Sequence, residues 1–199
     1  MWRAGGIRQN EEIETSKETN LNNRAMKKPH YFYKVAEASE VGKLLQAFVD
    51  RCNEVSEVAR QWVERQGGDT YYESADGMAG GVAAVIFKNT IAKDGWDKEV
   101  APDGQAYFFP MEGTVLEKEM YDLPVVSETE LIGILGLEPI KAKSGLPLPF
   151  SFGNQTPLLF LHHAHWYVDV PYCSGSHDCE QITEKEFYRR RMAATNERA

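Results

Sequence analysis

The chain has 199 residues, of which 42% are hydrophobic and 11% aromatic, and its formal net charge is −8. This length and composition predict a globular domain with its own hydrophobic core and exclude a low-complexity protein. Both ends, 1–29 and 183–199, carry a small excess of basic residues, so the acidic charge is concentrated between them. An acidic body would repel phosphates, which argues against nucleic acid as a ligand.

The sequence carries no signal for a membrane or a secretory route. No apolar run is long enough to cross a bilayer, and the N-terminus lacks the apolar core of a secretory signal. The three cysteines, Cys52, Cys173 and Cys179, are too sparse for a disulfide framework. We therefore expect a cytoplasmic protein with no membrane partner.

The beginning of the chain differs in composition from the rest. Residues 1–27 have few apolar side chains and no periodicity, as is typical of disordered segments. We predict a disordered extension over 1–27 and a single α+β domain over 28–199. Met26 lies directly before the first segment with an ordered pattern, and we expect it to be the natural start.

The stretch from Ser39 to Gln66 is predicted to form one long amphipathic helix. Its apolar residues recur in steps of three and four, which is the period of a helix with one buried stripe. Ser39 suits the N-cap, and Gly67-Gly68 suits the end of the helix. Such a helix would be roughly 40 Å long, enough to cross a small domain and support a sheet.

Several short segments rich in aromatic and β-branched residues are predicted to be strands. A glycine-rich segment, Gly77–Gly81, precedes a strand rather than a helix, and no Gly-Lys-Ser follows it. We interpret this segment as a turn with close backbone packing rather than a nucleotide-binding loop. The sequence Ala-Pro-Asp-Gly at 101–104 joins the predicted strands 96–100 and 105–109 and predicts a β-hairpin. The predicted strands are 30–35, 69–74, 82–87, 96–100 and 105–109.

Capping signals predict three further helices, near 114–121, near 128–135 and at the C-terminus. Ser127-Glu-Thr-Glu130 and Thr183-Glu-Lys-Glu186 both have the spacing of a capping box. The segment 141–149 is predicted to be a loop. Because strands and helices do not alternate regularly, the pattern favours an α+β fold, with a mostly antiparallel sheet packed on the long helix at about 39–66.

Four of the five histidines, His162, His163, His165 and His177, lie within sixteen positions of one another, and the first three belong to an apolar segment. This segment, 157–170, is predicted to be one long strand or two strands joined near Ala164. On one uninterrupted strand, residues two apart share a face, so His163, His165 and Asp169 would point the same way.

Two imidazoles and a carboxylate are a workable ligand set for Zn, Fe or Mn, so the pattern predicts a divalent-metal site at His163, His165 and Asp169. His162 would face the opposite way. The alternative is that these histidines are edge or interface residues bonded to the backbone. A cysteine nucleophile beside His177 is a further alternative, using Cys173 or Cys179.

The spacing His-x-His-x-x-x-Asp is similar to the first metal motif of the cupin barrels, although Asp169 stands where that family usually has Glu. No second cupin motif follows, because the chain is predicted to end in a helix. That helix contains the basic run Arg189–Arg191, which we interpret as a solvated face. The alternatives are that it pairs with the acidic body of the protein or holds a carboxylate or phosphate of a partner.

Three stretches, 28–35, 152–163 and 186–197, resemble small proteins encoded by bacteriophages and prophages of Gram-negative bacteria. The resemblance implies a genomic context and no particular chemistry. We therefore expect a non-enzymatic interaction module, whose acidic, aromatic-rich surface binds a host or phage protein in the host cytoplasm. The alternative is a metal-dependent enzyme that uses the site at His163, His165 and Asp169.

Overall fold

A computed structural model describes residues 30–73, 79–89, 93–139, 158–171, 173–175 and 179–197. The predictions for 1–27 with Met26, for the first part of Gly77–Gly81, for the loop 141–149 and for His177 lie outside these residues, as do the last residue of the predicted strand 69–74 and the first residue of the segment 157–170. The described part of the chain has an α+β fold with antiparallel sheets, which confirms the predicted fold class.

The described chain contains four helices and ten strands. The helices are α1 (Glu40–Arg65), α2 (Val115–Tyr121), α3 (Glu128–Ile134) and α4 (Glu184–Asn196). The strands are β1 (His30–Ala36), β2 (Thr70–Glu73), β3 (Val82–Ile86), β4 (Trp96–Val100), β5 (Ala106–Pro110), β6 (Glu138–Pro139), β7 (Leu158–His162), β8 (His165–Pro171), β9 (Cys173–Ser174) and β10 (Glu180–Ile182). All of the predicted helices and the hairpin of β4 and β5 are therefore confirmed.

Helix α1 begins and ends where its capping residues predict. The hydroxyl of Ser39 accepts a hydrogen bond from the backbone N–H of Gly42 at 3.0 Å, which satisfies one of the free donors of the first turn. Gly67 follows the helix with a φ of +76°, a conformation that glycine adopts without strain. The predicted long helix is thus a single uninterrupted element of 26 residues.

The strands form two larger sheets rather than the single sheet that the sequence predicts. Sheet A has the order β10-β1-β8-β7, and sheet B has the order β2-β3-β5-β4. A separate two-stranded sheet pairs β6 with β9. Every observed pairing is antiparallel. As formed by the described strands, both larger sheets are open, which is not the architecture of a cupin barrel.

Helix α1 contributes buried residues to the hydrophobic clusters that pack on both larger sheets. Its first half contributes Leu45 and Phe48 to a cluster that includes residues of β1 and β8 in sheet A. Its second half contributes Trp62 and Val63 to a cluster that includes residues of β3, β4 and β5 in sheet B. The predicted apolar stripe of α1 therefore packs on sheet A with its first half and on sheet B with its second half.

Helix α4 covers the other face of sheet A. Phe187 is fully buried and packs against Phe32 of β1, with ring centroids 5.0 Å apart, and against Phe160 of β7 at 5.3 Å. Because β1 alternates its side chains, Phe32 faces α4 while Tyr33 faces α1. Sheet A is consequently the middle layer of an α/β/α arrangement, and this fixes the C-terminal end of α4 near β7.

Candidate functional site

The apolar segment 157–170 contains a hairpin whose turn is only two residues long. Strands β7 and β8 are joined by His163 and Ala164, with φ angles of +47° and +58°. Positive φ at both central positions is the signature of a type I′ turn, whose twist matches that of the flanking strands. Of the two predicted arrangements, the one with two strands joined near Ala164 is therefore confirmed.

The turn changes which histidines share a face. His162 and His165 are direct partners across the hairpin, so their side chains lie on the same side of sheet A. This is the side covered by α4, because Phe160, two residues before His162, contacts Phe187. The prediction that His162 faces away from His165 is wrong, since two turn residues separate the strands.

The structure does not bring the three predicted metal ligands together. His163 lies in the turn, and Asp169 lies four residues beyond His165 on β8, which is about 13 Å along a strand. The Oδ1 atom of Asp169 instead contacts Nδ1 of His30 at 2.8 Å. The Nδ1 atom of His165 contacts the backbone oxygen of His163 at 2.9 Å, in line with the predicted alternative of histidines bonded to the backbone.

A different set of three side chains with possible metal-ligand atoms converges at the same corner. The Nε2 atoms of His162 and His163 lie 3.4 and 3.2 Å from Oε1 of Glu197. Within the described ranges, these three residues are the sole group of His, Cys, Asp and Glu side chains whose ligand atoms lie close enough to hold one metal ion. We call this group the histidine corner.

The local backbone explains why neighbouring histidines meet. Successive side chains on a strand point to opposite faces, but the positive φ of His163 turns its ring back over that of His162. The two ring centroids are 3.9 Å apart with an interplanar angle of 19°. The turn that ends β7 therefore also builds the stacked imidazole pair.

Glu197 is the C-cap residue of α4, where the helix dipole disfavours a carboxylate. The hydrogen bond from His162 and the neighbouring charge of His163 offset this effect and lower the pKa of Glu197 below its usual value. Glu197 lies 35 positions beyond His162 in the sequence, so no local spacing indicates that the two residues meet. This separation is why sequence reasoning missed Glu197.

The three groups differ in their access to solvent. The side chain of His162 is 3% exposed, whereas those of His163 and Glu197 are 64% and 55% exposed. The Nδ1 atom of His162 is buried without a hydrogen-bond partner among the described residues. The histidine corner thus combines one fixed, buried imidazole with two side chains that can reach a solute.

The sequence predicts two other candidates, the basic run of α4 and a cysteine nucleophile. Arg189 and Arg190 pair with Glu186 on their own helix, at 2.6 and 2.8 Å, and the role of the basic run stays a prediction. The proposed cysteine nucleophile depends on His177, which lies outside the described residues, and on Cys173 or Cys179. It therefore stays a prediction.

A second surface of note is the outer face of sheet B, formed by side chains that point away from α1. In β5, buried and half-buried residues alternate, with Phe108 inside and Tyr107 and Phe109 outside. Tyr72 of β2 is exposed on the same outer side and contacts Tyr107, with ring centroids 5.9 Å apart. We call this surface the aromatic face.

Comparisons with protein-family models, with curated proteins and with solved structures found no match. None of the described helices combines the length and apolar character that a membrane span requires. Function is therefore inferred from the histidine corner and the aromatic face.

Proposed function

We propose that this protein is a protein-interaction module and that its aromatic face binds a basic segment of a partner protein. The observation that carries this proposal is a row of aromatic side chains on a sheet face that the described helices leave uncovered. Both helices that contribute to the core of sheet B, α1 and α2, pack on its opposite face through residues such as Trp62 and Met120.

The composition of the aromatic face supports a binding role. Solvent-facing positions of an antiparallel sheet are ordinarily polar, whereas here this face carries Tyr72 of β2 and, beyond β3, Tyr107 and Phe109 of β5. Aromatic residues are enriched in protein interfaces, because they combine a large contact area with little conformational freedom to lose. The 54% exposure of Tyr72 leaves most of its ring available to a partner.

The charges beside these rings favour a basic partner. In the register of sheet B, Asp97 of β4 lies opposite Phe109, and Glu99 lies opposite Tyr107. Lys98 alternates to the other face, where its Nζ lies 5.9 Å from the ring centroid of Phe108. Arginine or lysine side chains of a partner could stack on the tyrosines and pair with both carboxylates.

The genomic and cellular setting belongs to the same proposal. The resemblance to bacteriophage and prophage proteins supports a role in a Gram-negative host, where the partner is a host or phage protein. The sparse cysteines support a reducing compartment, so we propose the host cytoplasm as the site of action.

The experiment compares capture from a Gram-negative host lysate by three forms of the full chain. These are the natural sequence, the double variant Tyr72→Ala/Glu99→Lys, and the control Tyr121→Ala, which alters a tyrosine that is 73% exposed on α2. We expect the natural sequence and the control to retain the same partner, and the double variant to lose it. Higher salt should also weaken capture, since opposite charges are screened.

Equal recovery of the partner by the double variant would contradict the proposal, as would the absence of any specifically retained protein. All altered residues are exposed, so the three forms should have the same circular dichroism spectrum and melting temperature. This check separates loss of binding from loss of folding.

A further inference from the structure

We propose that the histidine corner is a binding site for one divalent cation of the zinc class, held by His162, His163 and Glu197. This proposal concerns sheet A and α4 and stands apart from the aromatic face of sheet B. The ligand set differs from the sequence prediction, which combined His163 with His165 and Asp169.

The donor distances fit a tetrahedral ion. Zinc lies about 2.0–2.2 Å from imidazole nitrogen and carboxylate oxygen, so two ligand atoms of a tetrahedral site are about 3.3–3.6 Å apart. The two separations from Oε1 of Glu197, 3.4 Å to Nε2 of His162 and 3.2 Å to Nε2 of His163, lie close to this spacing. The three donor atoms therefore lie close enough to share one ion once the exposed ring of His163 turns toward it.

One side chain must turn when the ion binds. An imidazole nitrogen donates its lone pair in the plane of the ring, and the nearly parallel rings of His162 and His163 do not aim at a common point. The ring of His163 is exposed and can rotate out of the stack, whereas burial holds the ring of His162 in place. The cost of forming the site is limited to one surface side chain.

The electrostatic setting favours a cation. Glu197 caps the C-terminus of α4, where the free carbonyl groups carry partial negative charge. The chain also has a net charge of −8. A cation at the histidine corner would offset the unfavourable interaction between the carboxylate of Glu197 and the negative end of the helix dipole.

The surroundings also bear on the strength of the site. A histidine that binds metal usually donates its other ring N–H to an acceptor, and loss of that acceptor weakens binding by about 10- to 100-fold. Nδ1 of His162 has no such acceptor among the described residues. We therefore expect micromolar rather than nanomolar affinity, with the remaining coordination position open to water.

The experiment is a titration of tag-free full chain with Zn²⁺, followed by calorimetry and by thermal melting. We expect saturable binding of one zinc ion per chain, and a rise in melting temperature that follows the zinc concentration, because the ion binds only the folded state. Glu197→Gln and His163→Asn should each lower the affinity at least tenfold. Asparagine is chosen because it tolerates the positive φ at position 163.

His165→Ala and Asp169→Asn are the matched controls, since both residues belong to the sequence-predicted set and not to the histidine corner. Both should bind zinc as the natural sequence does. Absence of saturable binding below millimolar zinc would overturn the proposal. Unchanged affinity in Glu197→Gln, or a loss confined to His165→Ala and Asp169→Asn, would also overturn it.

Discussion

Gly80 lies directly against Val55 of α1: a Cβ atom added to Gly80 would overlap Cγ1 of Val55 and the backbone oxygen of Pro124. The φ angle of Gly80 is +91°, a conformation that other residues adopt only with strain. The glycine-rich segment Gly77–Gly81 is predicted to be a turn with close backbone packing, and the described part of that turn has this property.

The first prediction follows from this contact. Gly80→Ala should lower the free energy of unfolding by about 2–4 kcal/mol, because backbone strain adds to the overlap with Val55. Gly104→Ala is the control, since Gly104 also has a positive φ, of +88°, but a Cβ there meets nothing within 4 Å. Urea unfolding of both variants measures the difference, and equal losses would contradict a steric role for Val55.

The second prediction concerns Glu128, a buried carboxyl group at the start of α3. Burial raises its pKa from 4.5 to about 7. The folded protein therefore holds this proton more tightly than the unfolded chain, so stability should fall as pH rises from about 4.5 through 7. We expect a loss on the order of 2 kcal/mol across this interval.

Glu128→Gln should remove this pH dependence, because glutamine has no proton to lose, and should make the protein more stable than the natural sequence at pH 8. Denaturant unfolding at pH 5 and pH 8 measures the effect. Glu54→Gln serves as the control, since Glu54 is exposed on α1. A natural protein that is no less stable at pH 8 than at pH 5 would contradict this prediction.

The third prediction addresses the turn of the β7–β8 hairpin. Ala164 has a φ of +58°, which costs a non-glycine residue roughly 1–2 kcal/mol. Ala164→Gly should therefore raise the free energy of unfolding, by about 0.5–1 kcal/mol after glycine's greater freedom in the unfolded chain is subtracted. Ala193→Gly within α4 should have the opposite sign. If both variants lose stability in thermal melts, the turn is not strained as described.

Local patterns predict the helices of this protein well, because their causes are local. The stripe that includes Leu45, Phe48 and Trp62 repeats with the helical period, and Ser39 caps the first turn as its side chain allows. The predicted strands 30–35, 82–87 and 96–100 also lie where β1, β3 and β4 form.

Strand pairing depends on residues that are far apart in sequence, and this limits what can be predicted. His30 and Asp169 are in contact although 139 positions separate them, and no short pattern indicates that β1 lies beside β8. The division into two sheets follows from such distant pairings. It also requires the two halves of α1 to pack on different sheets.

The predicted metal ligands, His163, His165 and Asp169, depend on one uninterrupted strand, and the turn at His163 and Ala164 interrupts it. Type I′ turns usually contain Asn-Gly or a similar pair, and His163-Ala164 has no such signal. The predicted faces follow the alternation of one strand through 157–170, although two strands joined near Ala164 were the alternative. His165 and Asp169 share a face as predicted, because both lie on β8, but His162 also lies on that side and His163 lies in the turn.

The position of α1 has a consequence for how the protein unfolds. Leu45 and Val63 belong to different hydrophobic clusters yet to one continuous run of backbone hydrogen bonds. Unfolding of α1 would therefore remove buried apolar contacts from the hydrophobic clusters of both sheets at the same time. Denaturation should therefore occur as one cooperative transition, with amide protons of β1 and β5 exchanging at similar rates when exchange requires global opening.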